Sequence, residues 1–169
     1  MISKKLENAI NDQIKLEEQS SRIYMAMASW CDVNGLTGAA KFLYAHSDEE
    51  RGHMLKFVNF LNDRGGHARL QQVEQPEADY KSIDKLFDQV LHHEQFVTKK
   101  INELVDICLE EKDHTTNNFL QWFVNEQIEE ESLAQEIVDK IKLVGDAKAA
   151  HFHIDMFLGN LAGQEAAAG

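Results

Sequence analysis

The chain has 169 residues, a formal net charge of -12 and a pI of about 5.0. A chain of this length fits one domain with a sizeable core. The excess of acidic residues disfavours partners such as nucleic acid or an anionic membrane surface and favours cations. The amino-terminal segment has no apolar signal region, and no apolar run reaches the length of about 18 residues that a membrane span requires. We therefore expect a soluble, cytoplasmic protein.

The pattern of apolar residues predicts an all-α fold. Proline occurs once, at Pro76, and glycine nine times, and strand-like runs of β-branched residues are missing. Apolar residues instead recur at helical spacing. We predict one domain over residues 1–169, with four long helices and a short fifth one. The expected bounds are about 3–32, 37–64, 83–112, 114–144 and 146–161.

Caps and connection lengths predict the topology. Ser82, Asp113 and Asp146 are suitable N-caps for the third, fourth and fifth helices, whereas residues 164–169 are expected to fray. Short turns make antiparallel pairs of helices one and two and of helices three and four. The link from Gly65 to Ser82, about 16 residues, can span roughly 50 Å, more than the length of about 42 Å of a 28-residue helix. This predicts an antiparallel four-helix bundle with one long crossover loop.

Each long helix carries a core-facing apolar stripe, and a glutamate interrupts each stripe near its middle. The four glutamates are Glu17, Glu50, Glu94 and Glu130. His53 follows Glu50 by one helical turn. The two glutamates of each helical hairpin are nearly the same distance from their turn, so they lie within roughly 3 Å of one level. Four carboxylates and one imidazole are therefore expected to meet at the centre of the bundle.

Four ionised carboxylates cannot be buried together without compensation. Two divalent cations would balance their charge, and oxygen-rich ligation with one histidine suits Fe(II) or Mn(II) better than structural zinc. Tyr24, two turns after Glu17, fits either a core tyrosine or a group that hydrogen-bonds a ligand or donates an electron. His46 is interpreted as a hydrogen-bonded core histidine, and Trp122 as either a core or a site-adjacent residue.

Other features have simpler interpretations. Glu111 to His114 repeats the E-x-x-H spacing of Glu50 to His53, but it falls at a bundle end and predicts a surface turn. Cys31 and Cys108 fall on apolar helix faces and are predicted to be reduced core thiols. The histidines at 151 and 153 do not share a helical face, and no role is assigned to them.

Two segments carry a family resemblance. Asp48 to Met54, D-E-E-R-G-H-M, resembles the E-E-x-x-H-M centre of ferritins, and Asn118 to Glu131 contains the N-F-L-Q-W and E-Q-x-E-E-E elements. The resemblance covers the chain from near Ile2 to about Leu161 and is closest to the bacterial non-haem ferritins. It implies ferroxidase activity, which converts ferrous to ferric iron with O2 or hydrogen peroxide, in a hollow iron-storing shell of 24 identical subunits.

The resemblance also implies a set of ligands. The first iron would be held by Glu17, Glu50 and His53. The second would share Glu50 as a bridge and be held by Glu94 and Glu130, with Gln127 close by. A third iron site of the bacterial members matches Glu49, Glu126, Glu129 and Glu130. Tyr24 matches their site tyrosine.

Departures from related families narrow this interpretation. Gln127 to Glu130 stands where the wider di-iron pattern has a second E-x-x-H, which disfavours bacterioferritin, rubrerythrin and the di-iron oxygenases. Arg51 occupies the place of the haem-binding methionine of bacterioferritin, so no haem is expected. The intra-bundle site, the fifth helix and the lack of a basic tail disfavour the DNA-protecting mini-ferritins. Two alternatives remain: an oxygenase or peroxidase acting on a small molecule, and a cage subunit without metal turnover.

Overall fold

The computed structural model describes the backbone of residues 2–145 and 148–168, and the side chains of residues 2–145 and 150–163. Within these ranges the fold has five helices and no strand, which confirms the predicted all-α class. The helices are α1 (Lys4–Val33), α2 (Thr37–Asp63), α3 (Ile83–Glu111), α4 (His114–Val144) and α5 (Lys148–Ala168). Over the residues described, none of them combines the length and the apolar character needed to cross a lipid bilayer.

The bounds of α1 to α4 differ from the expected ones by at most one residue, but α5 is longer than expected. Fraying was expected from Gln164 onwards, whereas α5 continues to Ala168. That expectation was wrong because consecutive alanines at the end of the chain have the highest intrinsic helix propensity. The predicted cap Asp146 and the terminal Gly169 lie outside the described residues.

The helix ends follow the capping signals only in part. Asp113 caps α4, since its Oδ1 accepts a hydrogen bond of 2.9 Å from the Thr116 backbone N–H. Ser82 occupies the N-cap position of α3 but makes no side-chain capping hydrogen bond. Lys112, in the left-handed region at φ 58°, forms the tight turn between α3 and α4. This turn is exposed, in agreement with its interpretation as a surface turn.

The link between α2 and α3 runs along α1 in the direction of that helix. The Asn11 side chain contacts the start of the link and accepts a hydrogen bond of 2.6 Å from the Arg69 N–H. Further along, the Glu74 N–H donates to Gln19 Oε1 at 2.6 Å. Near the end of the link, the Tyr80 ring lies edge-on to Trp30. The link therefore carries the chain from one end of the bundle to the other, which confirms the crossover arrangement.

The interior of the bundle is divided into two apolar clusters, one toward each end. One cluster includes Leu6, Ile10, Ile14, Phe57, Leu61, Ile101, Leu120 and Phe123. The other includes Met27, Leu43, Phe87, Val90, Ile137, Ile141 and Leu158. The apolar stripes of the four long helices supply these clusters, although two positions with the same helical spacing, Phe60 in α2 and Val144 in α4, are half-buried and exposed, respectively. Cys31 and Cys108 are buried free thiols, as predicted. The space between the two clusters is left to polar side chains.

Helix α5 packs against the start of α2 at a point of close backbone approach. A Cβ atom at Gly38 would lie 1.9 Å from the carbonyl oxygen of Asp155 and 3.1 Å from the backbone nitrogen of Gly159. The Asp155 side chain accepts a hydrogen bond of 2.8 Å from the Ala39 N–H. This contact satisfies a backbone donor at the start of α2, whose own N-cap Leu36 has no capping side chain.

We expect Gly38→Ala to destabilise the protein by about 1–3 kcal/mol, because the added methyl group forces α5 away from α2. Thermal unfolding followed by circular dichroism measures the change. Gly52→Ala is the matched control in the same helix, since a Cβ there meets nothing within 4 Å. The control is expected to leave the melting temperature unchanged or to raise it slightly. Equal melting temperatures for Gly38→Ala and the unmodified protein would contradict the close approach of the two helices.

Candidate metal centre

A layer of buried polar side chains lies between the two apolar clusters. Each of the four long helices contributes one glutamate to it: Glu17, Glu50, Glu94 and Glu130. Their exposed fractions are 1%, 3%, 1% and 8%, and His53 is 3% exposed. Side chains of these types are almost never this deeply buried unless they are paired. The glutamates that interrupt the four apolar stripes are therefore inside the bundle.

Glu17, Glu50 and His53 form the most compact group of this layer. Each offers one potential ligand atom, and these atoms all lie within 4.8 Å of one another. His53 Nδ1 is 3.3 Å from Glu50 Oε2, and Gln13 Nε2 donates a hydrogen bond of 2.7 Å to Glu17 Oε1. Oε2 of Glu17 and Oε2 of Glu50 are buried and accept no well-aligned hydrogen bond, and the 3.3 Å contact of Glu50 with His53 does not form one. Two unsatisfied carboxylate oxygens beside an imidazole are a donor set that fits a divalent cation.

Glu94 faces this group from α3, with both of its carboxylate oxygens engaged. The Tyr24 hydroxyl donates to Oε1, and Gln127 Nε2 donates to Oε2 at 3.1 Å. The same amide nitrogen of Gln127 is 3.3 Å from Thr98 Oγ1. Tyr24 is therefore both a core residue and a direct neighbour of the candidate site. Among the described residues, Glu94 belongs to none of the compact three-residue groups.

A second set of carboxylates lies toward the surface between α2 and α4. Glu49 and Glu126 lie with His53 within 4.8 Å, and Glu49 also forms such a group with His46 and Glu130. Glu49 is exposed and Glu126 is partly exposed. We call Glu49, His53 and Glu126 the outer group. Glu129, which the resemblance added to a third iron site, is exposed and joins none of these groups in the described part of the chain.

The buried His46 ring contacts the backbone of α2 through one nitrogen and lies near Glu130 through the other. Its Nδ1 donates to the Phe42 carbonyl oxygen at 3.2 Å, in agreement with its interpretation as a hydrogen-bonded core histidine. Its Nε2 lies 3.7 Å from Glu130 Oε2, a contact that the sequence analysis missed. Its position one turn before Glu50 on the same stripe was a signal of this proximity. Burial lowers the pKa of His46 to about 4, so the ring is neutral near pH 7.

Three more polar residues of the layer were missed as participants. The sequence analysis assigned no role to Gln13, Ser20 or His93. Ser20 Oγ and His93 Nε2 share a hydrogen bond of 2.7 Å, and the His93 ring lies edge-on to Tyr24. The contacts of His93 depend on how α1 and α3 pair, which a single helical stripe does not show. Gln13 and Glu17 are four residues apart in α1, so their spacing was a signal of that contact.

The pKa values of the layer reflect burial first and mutual repulsion second. Burial raises the pKa of Glu17, and the negative charge of Glu50 raises it further. Burial likewise raises the pKa of Glu50, to which Glu94 and Glu130 add their repulsion. For Glu94, burial raises the pKa although the hydrogen bonds from Tyr24 and Gln127 oppose it. The metal-free layer therefore binds protons more tightly than solvent-exposed carboxyl groups do, and a bound cation would compete with those protons.

Trp122 lies at the edge of the site. The centroid of its ring lies 5.3 Å from that of the His53 ring in an edge-on arrangement. The centroid of the Phe123 ring lies 5.9 Å from that of His53, on the core side. Trp122 is 40% exposed, so it is the site-adjacent residue of the two interpretations. These aromatic contacts restrict the orientation of the imidazole that faces Glu50.

Comparisons with known proteins agree with this geometry. The ferritin-like domain family matches residues 7–144. The chain is 45% identical to a bacterial non-heme ferritin of Campylobacter jejuni over 162 residues, which cover 96% of this chain and 97% of that protein. It is 41% identical to a bacterial non-heme ferritin of Escherichia coli, with 95% and 98% covered.

Solved structures show the same relationship. An open-pore ferritin from the archaeon Archaeoglobus fulgidus aligns with a TM-score of 0.92 at 42% identity, covering 94% of this chain and 98% of that chain. A family match over most of the chain, relatives above 40% identity over nearly their full length and a shared bundle all lead to one conclusion. The chain belongs to the ferritin family, whose members store iron.

Proposed function

We propose that this chain stores iron by oxidising Fe(II) to Fe(III) at a two-iron centre inside each subunit. The ferric ions are then deposited as an oxide-hydroxide mineral within a hollow homo-oligomeric cage, taken to contain 24 subunits. One observation carries the proposal: a glutamate from each of four helices is buried in one layer, where two carboxylate oxygens lack hydrogen-bond partners beside His53. Membership of the ferritin family supports iron as the cation.

The ligand positions follow from the neighbours of each carboxylate. The first Fe(II) binds to Glu17, Glu50 and His53, whose ligand atoms already lie together. The second binds to Glu94 and Glu130, with Glu50 as the bridge, since the negative charges of Glu94 and Glu130 both act on Glu50. Two divalent ions neutralise the four glutamates, which removes the repulsion that adds to the effect of burial on the pKa values of Glu17 and Glu50.

Oxidation is favoured because the carboxylate-rich layer stabilises the more highly charged product. Each Fe(II) ion loses one electron, and O2 accepts two electrons and two protons to form hydrogen peroxide. With peroxide as the oxidant, two further electrons and two protons give water. Anionic ligands stabilise Fe(III) more than Fe(II) and so favour electron loss. The buried ring of Phe123 lies against His53 and keeps bulk water away from the core side of the layer.

Tyr24 and Gln127 hold Glu94 in place for the second ion. Both donate hydrogen bonds to its carboxylate, and neither is a cation. A neutral donor yields more readily to an arriving metal ion than a buried arginine or lysine would, because less charge attraction is lost. We assign Tyr24 a positioning role at this centre, with electron donation as a second role that the contact with Glu94 permits.

The outer group provides a route between the two-iron centre and the surface. His53 belongs both to the buried group and to the outer group, so it can pass an ion between them. Glu49 and Glu126 are accessible from solvent, and Glu129 lies on the exposed face of the same helix as Glu126. We assign the third iron position to Glu49, Glu126 and Glu130, with Glu129 as an accessory carboxylate nearer the cavity. The buried free thiols fit a reducing, cytoplasmic location.

The bridging role of Glu50 can be tested by the rate of Fe(II) oxidation. We expect Glu50→Gln to lower the initial rate of Fe(II) oxidation by at least about tenfold, because the bridging charge and one ligand oxygen are lost. Oxygen uptake after addition of Fe(II) to the purified protein measures this rate. Glu103→Gln is the matched control, since Glu103 is exposed and paired with Lys100 at 2.7 Å away from the layer. An unchanged rate in Glu50→Gln would remove the bridge from the mechanism.

The raised pKa of Glu17 makes the stability of the metal-free protein depend on pH. A carboxyl group with a raised folded-state pKa stabilises the fold below its unfolded pKa, and this contribution is lost as the pH rises through the folded value. Glu17→Gln removes that titration and resembles the protonated acid. We expect it to stabilise the chelator-treated protein at pH 7 by about 1–3 kcal/mol, with the difference disappearing near pH 4.

Thermal unfolding of both proteins at the two pH values, in the presence of a chelator, measures this difference. Glu103→Gln again serves as the control, and we expect it to change the stability by less than about 0.5 kcal/mol at either pH. A lower stability of Glu17→Gln at pH 7 would show that the buried carboxylate is compensated without a metal.

Assembly of the subunits into an iron-filled cage can be tested by particle size and iron content. Gel filtration of the purified protein, combined with iron analysis, is expected to show a large iron-containing particle. A storage cage requires both the size and the iron content. A monomer or dimer would favour an oxygenase, and a large particle that takes up no iron would favour a silent scaffold.

A further inference from the structure

A lysine stands beside the outer group. Lys56 follows His53 by one turn of α2, and its Nζ lies 3.0 Å from the centroid of the Trp122 ring. The Trp122 ring in turn lies 5.3 Å from the His53 ring. An ammonium group over the face of an indole is a favourable cation–π contact. Lys56 is an exposed residue, but the Trp122 side chain of α4 holds its ammonium group at the edge of the site.

The negative charges of the outer group act on this ammonium. Burial lowers the pKa of Lys56, while the charges of Glu126 and Glu49 oppose that change. Glu126 Oε1 is 3.9 Å from His53 Nε2, so the carboxylate that attracts Lys56 is the same one that lies next to the imidazole. One positive charge therefore lies beside the outer group, over the indole ring that contacts His53.

We propose that Lys56, held on Trp122, is a tethered cation that competes with divalent metal ions for the outer group. This inference rests on the proposed function and assigns a residue that sets the order of metal loading. The buried centre fills first, because no cationic side chain is paired with Glu17, Glu50 or Glu94 among the described contacts. The outer group fills later, when a metal ion displaces the ammonium from its position over the indole.

This order has a consequence for iron movement. An ion that passes His53 toward Glu126 meets a site weakened by a like charge, so it is held loosely and moves on toward the cavity. Repulsion between one positive charge and a divalent ion about one helical turn away weakens binding on the order of tenfold when solvent screens the pair to nearly the dielectric of water, as at an exposed site. The contact of Lys56 with Trp122 also makes this displacement visible, because indole emission responds to a nearby charge.

The test is a titration of the full-length, chelator-treated protein with Zn2+, which is redox-inert. Calorimetry gives the affinity and stoichiometry of each class of site, and tryptophan emission is recorded in parallel. In Lys56→Met we expect the weaker class to bind about tenfold more tightly, with the tighter class unchanged. Lys56→Arg keeps the charge and the contact with the indole, and we expect it to resemble the unmodified protein.

Two further variants control the interpretation. Lys100→Met removes a lysine that also lies over an aromatic ring, 5.6 Å from the centroid of Phe96, and it pairs with Glu103. We expect no change in either class of Zn2+ site in that variant. Trp122→Phe removes the reporting indole, so the emission change that accompanies filling of the weaker class is expected to disappear while binding persists.

The outcomes separate this inference from the proposed function. The role of Lys56 alone would be overturned if the tight class is present but Lys56→Met leaves the affinity of the weaker class unchanged or lowers it. The absence of any tight Zn2+ class in the unmodified protein would overturn both the two-metal centre and the loading order. A tenfold gain confined to the weaker class in Lys56→Met, absent in Lys56→Arg and Lys100→Met, supports the inference.

Discussion

The mutual repulsion of buried glutamates is the constraint on which the rest of this structure depends. Glu17, Glu50, Glu94 and Glu130 are removed from water, yet the contacts around Glu17, Glu50 and Glu94 come from neutral amides, a phenol and an imidazole. Apolar side chains at these positions would make the bundle more stable. The layer therefore makes physical sense as a site that is completed by cations, in which stability of the empty protein is reduced for the sake of metal affinity.

The apolar clusters on either side make this arrangement possible. They pack both ends of the bundle, so hydrophobic burial keeps the four helices in register. The polar layer therefore does not have to supply the stability of the bundle. The crossover link adds a second restraint, since its contacts extend along α1 from Asn11 to Trp30. Helix α5 supplies Asp155 to the exposed start of α2. Rigid placement of α2 matters most, because that helix carries Glu50, His53 and the outer carboxylate Glu49.

Helical periodicity was sufficient to predict the bundle and the four glutamates, because each fact depends on one helix and on its distance from a turn. Contacts between helices were harder to predict. The pairing of Ser20 with His93, the approach of His46 to Glu130 and the position of Lys56 over Trp122 depend on the rotation of two helices relative to each other. Glu129 lies on the exposed face of α4, and its part in a third iron site stays a prediction.

The buried layer and the outer group differ in whether a positively charged side chain lies next to their carboxylates. Inside the layer, Tyr24 and Gln127 orient Glu94 without opposing the arrival of a cation. Toward the surface, Lys56 places a positive charge beside Glu49 and Glu126. Under the proposed function, the buried centre binds a metal ion strongly and the outer group binds it weakly. An ion that leaves the centre past His53 is then not retained at Glu49 and Glu126, which leaves the outer group open for the ions that follow.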